Sequence, residues 1–409
     1  MWHVCTISIY ISRGPRRCLF RLLGHLLGPQ NVGRTTSIDS HALFVSMPSL
    51  TKTLNASPES HGALKKTMKK LHYVLYSGKP IKLFYFIREF LKLLIPRVYY
   101  RKRLRKELDG WEDRADATYI AERVNYYCRL NEQTKLPSEL IIHKKHPGYF
   151  YFLDKINRFR ISTFHKAYYF DLWDVARYFP SDCRVCYIPG DVYFTPEHPA
   201  LVKSRLLTSD NQNSVLLKVD KLRHFIFLND SIEYVHKMDK AIFRGKIRSS
   251  RLREKFLHIY FGSSICDCGI VGSDQRFPAE WQVERKTIQE HLSYKFIIAL
   301  EGNDVASNLK WVMSSNSIAV MTRPTCETWF MEGCLKPNYH YIEIRDDLSD
   351  LQEKLEYYAS HIDEAHAIIN HAHEYVAQFM DERRERLIQL LVMDKYLKIV
   401  NGDSGLANL

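Results

Sequence analysis

Residues 295–321 read KFIIALEGNDVASNLKWVMSSNSIAVM, and their pattern decides the fold class. Lys295–Leu300 is a short apolar run of the kind that forms a buried strand. A turn of small residues follows at Gly302, and Asp304–Met313 predicts a helix. Ser317–Met321 reads as a second strand. Strand, turn, helix, strand is the unit of an α/β protein with a doubly wound parallel sheet. Working outward, a helix is expected around Glu327–Glu332, a strand at Tyr339–Ile344, and helices at Leu348–Tyr358 and Asp363–Leu397, the second long and amphipathic. Upstream, Arg184–Ile188, His224–Asn229 and Lys240–Arg244 read as strands, and Pro147–Ser162 as partly strand. Ala115–Leu130, Tyr168–Tyr178 and Arg251–Phe261 read as helices. The polar stretch Ser204–Asn213 predicts a hinge. The expected segments are 1–67, 68–110, 111–210, 211–345 and 346–409.

The 409 residues are 45% hydrophobic and 26% charged, a globular composition long enough for about two domains. The net charge is +13, but it is unevenly placed. Residues 1–110 hold 20 Lys/Arg against 5 Asp/Glu, and the remainder holds 39 against 41. A nucleic-acid enzyme would more often carry positive charge across its working groove, so a nucleic-acid partner is not expected. Nine cysteines, an odd number, make no disulfide framework and favour a reducing, cytoplasmic location. Cys183, Cys186, Cys266 and Cys268 could supply four thiolates to zinc, although only half of their spacing suits it; the alternative is buried apolar packing. No run approaches the ~18–20 apolar residues of a membrane span. Residues 1–67 lack a sustained period. They can be read as a transit-like peptide, a disordered tail or, the favoured reading, upstream sequence translated in error, with Met68 as the natural start and Met47 as another candidate.

Ile81–Tyr100 reads IKLFYFIREFLKLLIPRVYY. Leu83, Phe84, Phe86, Ile87, Phe90, Leu91, Leu94 and Ile95 follow a helical period until Pro96. Lys82, Arg88 and Lys92 lie off that stripe, and Arg101, Lys102, Arg103, Arg105 and Lys106 follow. Two readings stand side by side: a helix lying in an anionic membrane surface, or a helix packed on its own domain beside a solvated basic turn.

Three segments carry candidate chemistry. In the first, Gly302 lets a ligand approach the backbone, Asn303 or Asp304 can cap the following helix, and the N–H groups around Val305, Ala306 and Ser307 would face a phosphate. Lys310 would add a cation. In the second, FRGKIRSSRLR (243–253), Arg244, Ser249 and Arg253 could grip a diphosphate. In the third, YIPGD (187–191), Asp191 follows a strand at the rim of the sheet, where it could deprotonate a hydroxyl. No D-x-D occurs in the chain, so the usual carboxylate motif for a metal-held diphosphate is missing and no metal is expected.

Taken together, KFIIALEGNDVASNLKWVMSSNSIAVM, ETWFMEG and PNYHYIEIRDDLSDLQEKLEYY, with FRGKIRSSRLRE and YIPGDV in order before them, resemble glycosyltransferase family 90. The resemblance spans about 69–398, is strongest over 240–360, and is closest to the family's bacterial lipopolysaccharide-modifying branch. It implies a GT-B fold, two Rossmann-like domains facing a cleft, with an acceptor-side domain at 111–210 and a nucleotide-sugar-binding domain at 211–345. It implies metal-independent, inverting transfer from a nucleotide sugar, expected to be a UDP-sugar, with no cofactor. The acceptor would be a lipid-linked saccharide such as lipopolysaccharide core, met on the inner face of the cytoplasmic membrane. By the same resemblance Asp191 is the base, Arg253 the donor-contacting arginine with Ser249 nearby, Gly302 to Ser307 the donor turn, and Lys310 the basic residue after it. The rival reading is a basic nucleic-acid-binding or membrane-scaffold protein with a non-catalytic α/β body.

Overall fold

The computed structural model describes residues 77–130, 136, 152–160, 166–208 and 210–402. Residues 147–151 and 161–162 of the expected strand region Pro147–Ser162, and all of 1–67, lie outside them.

The described residues begin with three helices: α1 (Lys82–Leu93), α2 (Arg97–Leu108) and α3 (Ala117–Tyr127). Then come β1 (Phe152–Lys155), α4 (Lys166–Ala176), β2 (Arg184–Ile188), β3 (Ala200–Val202), β4 (Ser204–Leu206), β5 (Ser214–Leu216) and the single turn α5 (Lys221–His224). The second half holds β6 (Met238–Gly245), α6 (Arg251–Tyr260), β7 (Cys266–Val271), β8 (Gln282–Val283), α7 (Ile288–His291), β9 (Tyr294–Ile298), α8 (Leu309–Met313), β10 (Ile318–Met321), β11 (Cys326–Thr328) and β12 (Ile342–Glu343). Three helices close the described residues: α9 (Leu351–Ser360), α10 (Ile362–Ala377) and α11 (Glu382–Asn401).

Two sheets organise these elements. The first has the order β1-β2-β3-β5, with β1 antiparallel and the other three strands mutually parallel. The second has the order β8-β7-β6-β9-β10-β12 and is parallel throughout. Counted along the chain, its strands run third, second, first, fourth, fifth, sixth. That is the dinucleotide-binding arrangement, in which ligands sit where the order reverses, outside the carboxyl ends of the first and fourth strands. Here those ends belong to β6 and β9. Both faces of β9 are covered: Tyr294 and Ile297 join one core cluster, Phe296 and Ile298 the other. This explains the unbroken apolar run, because a parallel strand buried on both sides has no reason to alternate.

The first sheet takes in β5, so the chain passes to the second sheet only after Leu216, beyond the expected hinge at 204–213. β4 pairs antiparallel with β11 as a two-stranded ribbon. The last helix, α11, returns to the first sheet. Its Tyr396 hydroxyl accepts from the Cys186 amide at 2.9 Å, and its Asn401 side chain brackets the backbone of Arg184.

Several local expectations fail for identifiable reasons. His224–Asn229 is not a strand: after α5 it runs irregularly, with the Leu228 amide bonded to the Ser314 hydroxyl instead of a ladder partner. Glu327–Glu332 is not a helix. It is the end of β11 followed by a 3₁₀ turn at Glu332–Cys334, with Met331 in the left-handed region at φ 54°. The expected helix Asp363–Leu397 is two helices, broken before Asp381, whose carboxylate caps α11 through the amides of Arg383 and Arg384. The expected helix from Asp304 begins only at Leu309. The basic run after Pro96 is helical and lies within α2.

The four candidate zinc thiols are divided between the two sheets and their margins. Among the described residues no group of His, Cys, Asp and Glu is arranged to hold a metal ion, and all seven described cysteines are free thiols.

Helix α1 is unusual. The residues it buries are Tyr85 and Glu89. Tyr85 donates to Asp171 at 2.8 Å, and Lys92 bridges Glu89 and Asp174. Leu83, Phe84, Ile87, Phe90, Leu91 and Leu94 are exposed, Leu94 by 77%. Much of the apolar stripe therefore faces outward, while the helix packs on the body through Tyr85 and Glu89 and through Phe86 and Phe90, which meet Phe170.

Candidate active site

The carboxyl ends of parallel strands from both sheets meet at one place. From the second sheet, β6 leads into a basic turn, 246–250, in which Arg248 adopts φ 56°. Ser250 caps α6 by accepting from the Arg253 amide, and its hydroxyl donates to the Glu301 carbonyl at 2.9 Å. The caps of this helix thus tie the turn after β6 to the turn after β9.

Arg253 strengthens that tie. Its guanidinium donates to the Leu300 carbonyl at 2.7 and 3.2 Å and to the Lys246 carbonyl at 2.8 Å, bridging the two strand ends. Gly302 makes room for it: a Cβ there would stand 3.1 Å from Cζ and from both terminal nitrogens. Burial pulls the guanidinium pKa down to about 10, so the group stays charged at neutral pH. Gly302 thus serves a close approach, as expected, but what approaches is a side chain of the same protein.

From the first sheet, β2 leads through Gly190, whose φ of 106° suits glycine, to Asp191. β3 leads directly to Lys203. The Lys203 ammonium is almost wholly buried and meets Asp191 Oδ1 at 2.5 Å and Asp304 Oδ2 at 2.6 Å. Asn303 extends the junction: its Nδ2 lies 3.4 Å from Asp191 Oδ2, and its Oδ1 accepts from Ser249 Oγ at 2.8 Å. Asp191 is held below the usual carboxylate range. Burial alone would raise it, but the Lys203 ammonium, with Arg223 and Arg248 beyond, outweighs burial. Asp304, more deeply enclosed, is pushed up by burial despite Lys203. At neutral pH Asp191 is therefore an ionised carboxylate at the rim, capable of accepting a proton.

The structure sorts the expected residues. Asp191, Ser249, Arg253, Gly302, Asn303 and Asp304 come together. Val305 and Ala306 are buried and Ser307 is exposed. Residues 303–307 are an irregular turn in which the Gly302 amide donates to the Asp304 carbonyl, not the first turn of a helix. The helix that starts at this junction is α6. Arg244 is turned toward β7, where it binds Asp267 at 2.5 Å and the Asp267 carbonyl at 2.8 Å. Lys310 stands apart: its side chain is fully enclosed, ion-paired with Glu332 and set over the Phe330 ring.

Sequence reading missed Lys203 and Arg223, while Arg248 lies within the singled-out segment 243–253 without being named as a site residue. Of the two missed, only Lys203 carried a visible signal, a lysine directly after the apolar triplet Ala200–Val202.

A carboxylate able to take a proton, ringed by guanidinium groups at the switch point of a parallel sheet, suits transfer of a group from an anionic donor to a hydroxyl. Comparison with known proteins agrees. Residues 213–401 match glycosyl transferase family 90. An O-glucosyltransferase LpsA of Dichelobacter nodosus is 35% identical over 314 residues, 75% of this chain and 92% of that protein. Protein O-glucosyltransferase 3 of Rattus norvegicus is 23% identical over 172 residues, 41% of this chain and 34% of that protein. The protein is a glycosyltransferase. It belongs to glycosyltransferase family 90, which sets aside the non-catalytic scaffold reading.

Proposed function

We propose that this enzyme moves a sugar from a UDP-sugar to a hydroxyl of a lipid-linked saccharide, such as lipopolysaccharide core, with inversion and without a metal. The observation that carries this reading is the place of the Asp191 carboxylate at the junction of the two sheets, paired with Lys203 at 2.5 Å and 3.4 Å from Asn303 of the turn at 302–307. In this reading the two sheets are the halves of a GT-B fold. Asp191 takes the acceptor hydroxyl proton as its oxygen bonds to the anomeric carbon. The bond from that carbon to the diphosphate breaks on the opposite face, and its electron pair leaves on the nucleoside diphosphate. Arg253 and Arg248, with the N-terminus of α6, stabilise the departing charge. The absence of D-x-D supports metal independence. Glucose is the first donor sugar to test, because the bacterial relative is an O-glucosyltransferase.

We further place the enzyme on an anionic membrane surface at the cytoplasmic face. No helix among the described residues is long and apolar enough to cross a membrane. Lys82 on α1 and Lys102, Arg105 and Lys106 on α2 are exposed, as is Arg88, which pairs with Glu89; Lys92 is tied to Glu89 and Asp174, and Arg103 to Glu107. The test of the chemistry is Asp191→Asn. Transfer should fall by at least ~10³-fold, the order of a lost general base, with UDP affinity within about threefold of wild type. Turnover equal to wild type would remove Asp191 from the reaction.

A further inference from the structure

Lys203 joins the two sheets at their junction. It follows β3 of the first sheet and binds a first-sheet carboxylate, Asp191, and a second-sheet carboxylate, Asp304. Its side chain is 1% exposed and that of Asp304 is 4% exposed, while Asp191 retains 18%. An enclosed ammonium persists only where charged partners compensate its lost hydration. Its ammonium is a compact point charge that donates a hydrogen bond to Asp191 Oδ1 and forms an ion pair with Asp304 Oδ2.

We infer that Lys203 is a positioning residue: it pins Oδ1 of Asp191, whose Oδ2 lies 3.4 Å from Asn303 Nδ2, and so ties the base to the donor turn. This rests on Asp191 being the base. Lys203 itself touches no substrate. Its position makes the geometry of the base depend on the turn that receives the donor, because the same ammonium is held by Asp304 in that turn. Tyr168 and Asp220, which meet at 3.4 Å, border the same cluster from α4 and from the start of α5. Other charged groups facing the cluster are Arg223 on α5, Arg248 before α6, Arg253 within it and, from α8, the Glu332-paired Lys310; His224, buried on α5, is held neutral chiefly by its burial and then by Lys203. None of the cations replaces Lys203, since none contacts both carboxylates.

The experiment compares Asp191→Asn, Lys203→Met and the double variant Lys203→Met/Asp304→Asn. The double variant removes the buried carboxylate that the single one leaves unpaired, so it guards against loss of fold. Each is measured for kcat against pH, donor KM, melting temperature and saturable UDP binding. Both Lys203 variants should melt cooperatively, still bind UDP and lose about 100-fold or more in kcat, with a smaller change in donor KM. The acid limb of the kcat profile should move up by about 1 pH unit or more, because Asp191 loses the cation that favours its charged form. A structural role alone would lower the melting temperature without moving that limb. A double variant that turns over normally, or whose acid limb stays in place, overturns the inference while Asp191→Asn remains inactive. An active Asp191→Asn overturns the base assignment itself.

Discussion

Gly302→Ala tests the junction with one methyl group. The backbone at Gly302 lies outside the left-handed region, so alanine is tolerated there and the effect is confined to what its Cβ meets. That atom would stand 3.1 Å from Cζ, Nη1 and Nη2 of Arg253, flat against the guanidinium face. Ordinary contact is about 3.5–4.0 Å, so the group must retreat by roughly 0.5 Å along its normal. Three carbonyl hydrogen bonds of 2.7, 2.8 and 3.2 Å resist the motion. They bend more than they stretch, so the folded state should lose only about 1 kcal/mol. Catalysis is less forgiving, because a displacement near 1 Å can cost about 100-fold; half of that predicts roughly tenfold in kcat/KM for the donor. The assay is a double-mutant cycle of Gly302→Ala with Arg253→Ala, read by donor kinetics and urea unfolding. The methyl should cost tenfold in the presence of Arg253 and nearly nothing in its absence. Equal costs in both backgrounds would show that the effect does not pass through Arg253, and the reasoning fails.

Glu385→Ala should destabilise the fold by about 3–5 kcal/mol in urea unfolding, because it strands a buried Arg123, met at 2.5 Å, and Lys218 at 3.1 Å, and frees the Trp329 indole N–H; a loss under about 1 kcal/mol would mean the pair is dispensable. Leu91→Glu with Leu94→Glu, at exposed positions of α1 and just after it, should weaken sedimentation with phosphatidylglycerol vesicles at least tenfold while sparing transfer to a soluble acceptor. Unchanged vesicle binding would contradict the membrane-surface reading. Point substitutions are the proper test, since deleting 81–106 would also remove the buried contacts of Tyr85 and Glu89.

What was legible in the sequence follows the hydrophobic pattern. β2, β6, β9 and β10 were readable because strands in a parallel sheet covered on both sides need unbroken apolar runs. The same rule misled at His224–Asn229, where Phe225, Phe227 and Leu228 pack on the core from an irregular segment. A period records which side chains are buried, not which hydrogen bonds the backbone makes. At ETWFMEG the side chains are drawn apart: Glu327 to Arg205, Trp329 to Glu385 and Glu332 to Lys310. Those three partners lie between 22 and 122 residues away, so no local reading could prefer a bent strand over a helix.

The site shows the same limit more sharply. Asp191, Arg253 and the turn at Gly302 were visible because each follows a strand, and strand ends are where α/β sheets bind ligands. Lys203 also follows a strand, yet a lysine reads as a surface residue until its partners are known. Lys310 errs in the opposite direction: placed after a candidate phosphate turn, it reads as a ligand for the donor, and the fold encloses it with Glu332. A lysine's function here depends on which carboxylate reaches it, and both carboxylates that reach Lys203 come from other strand ends, one of them in the other sheet. Strand periodicity locates the rim of the sheet; only the pairing of buried charges across it separates the cation that orders the base from the cation that holds the core.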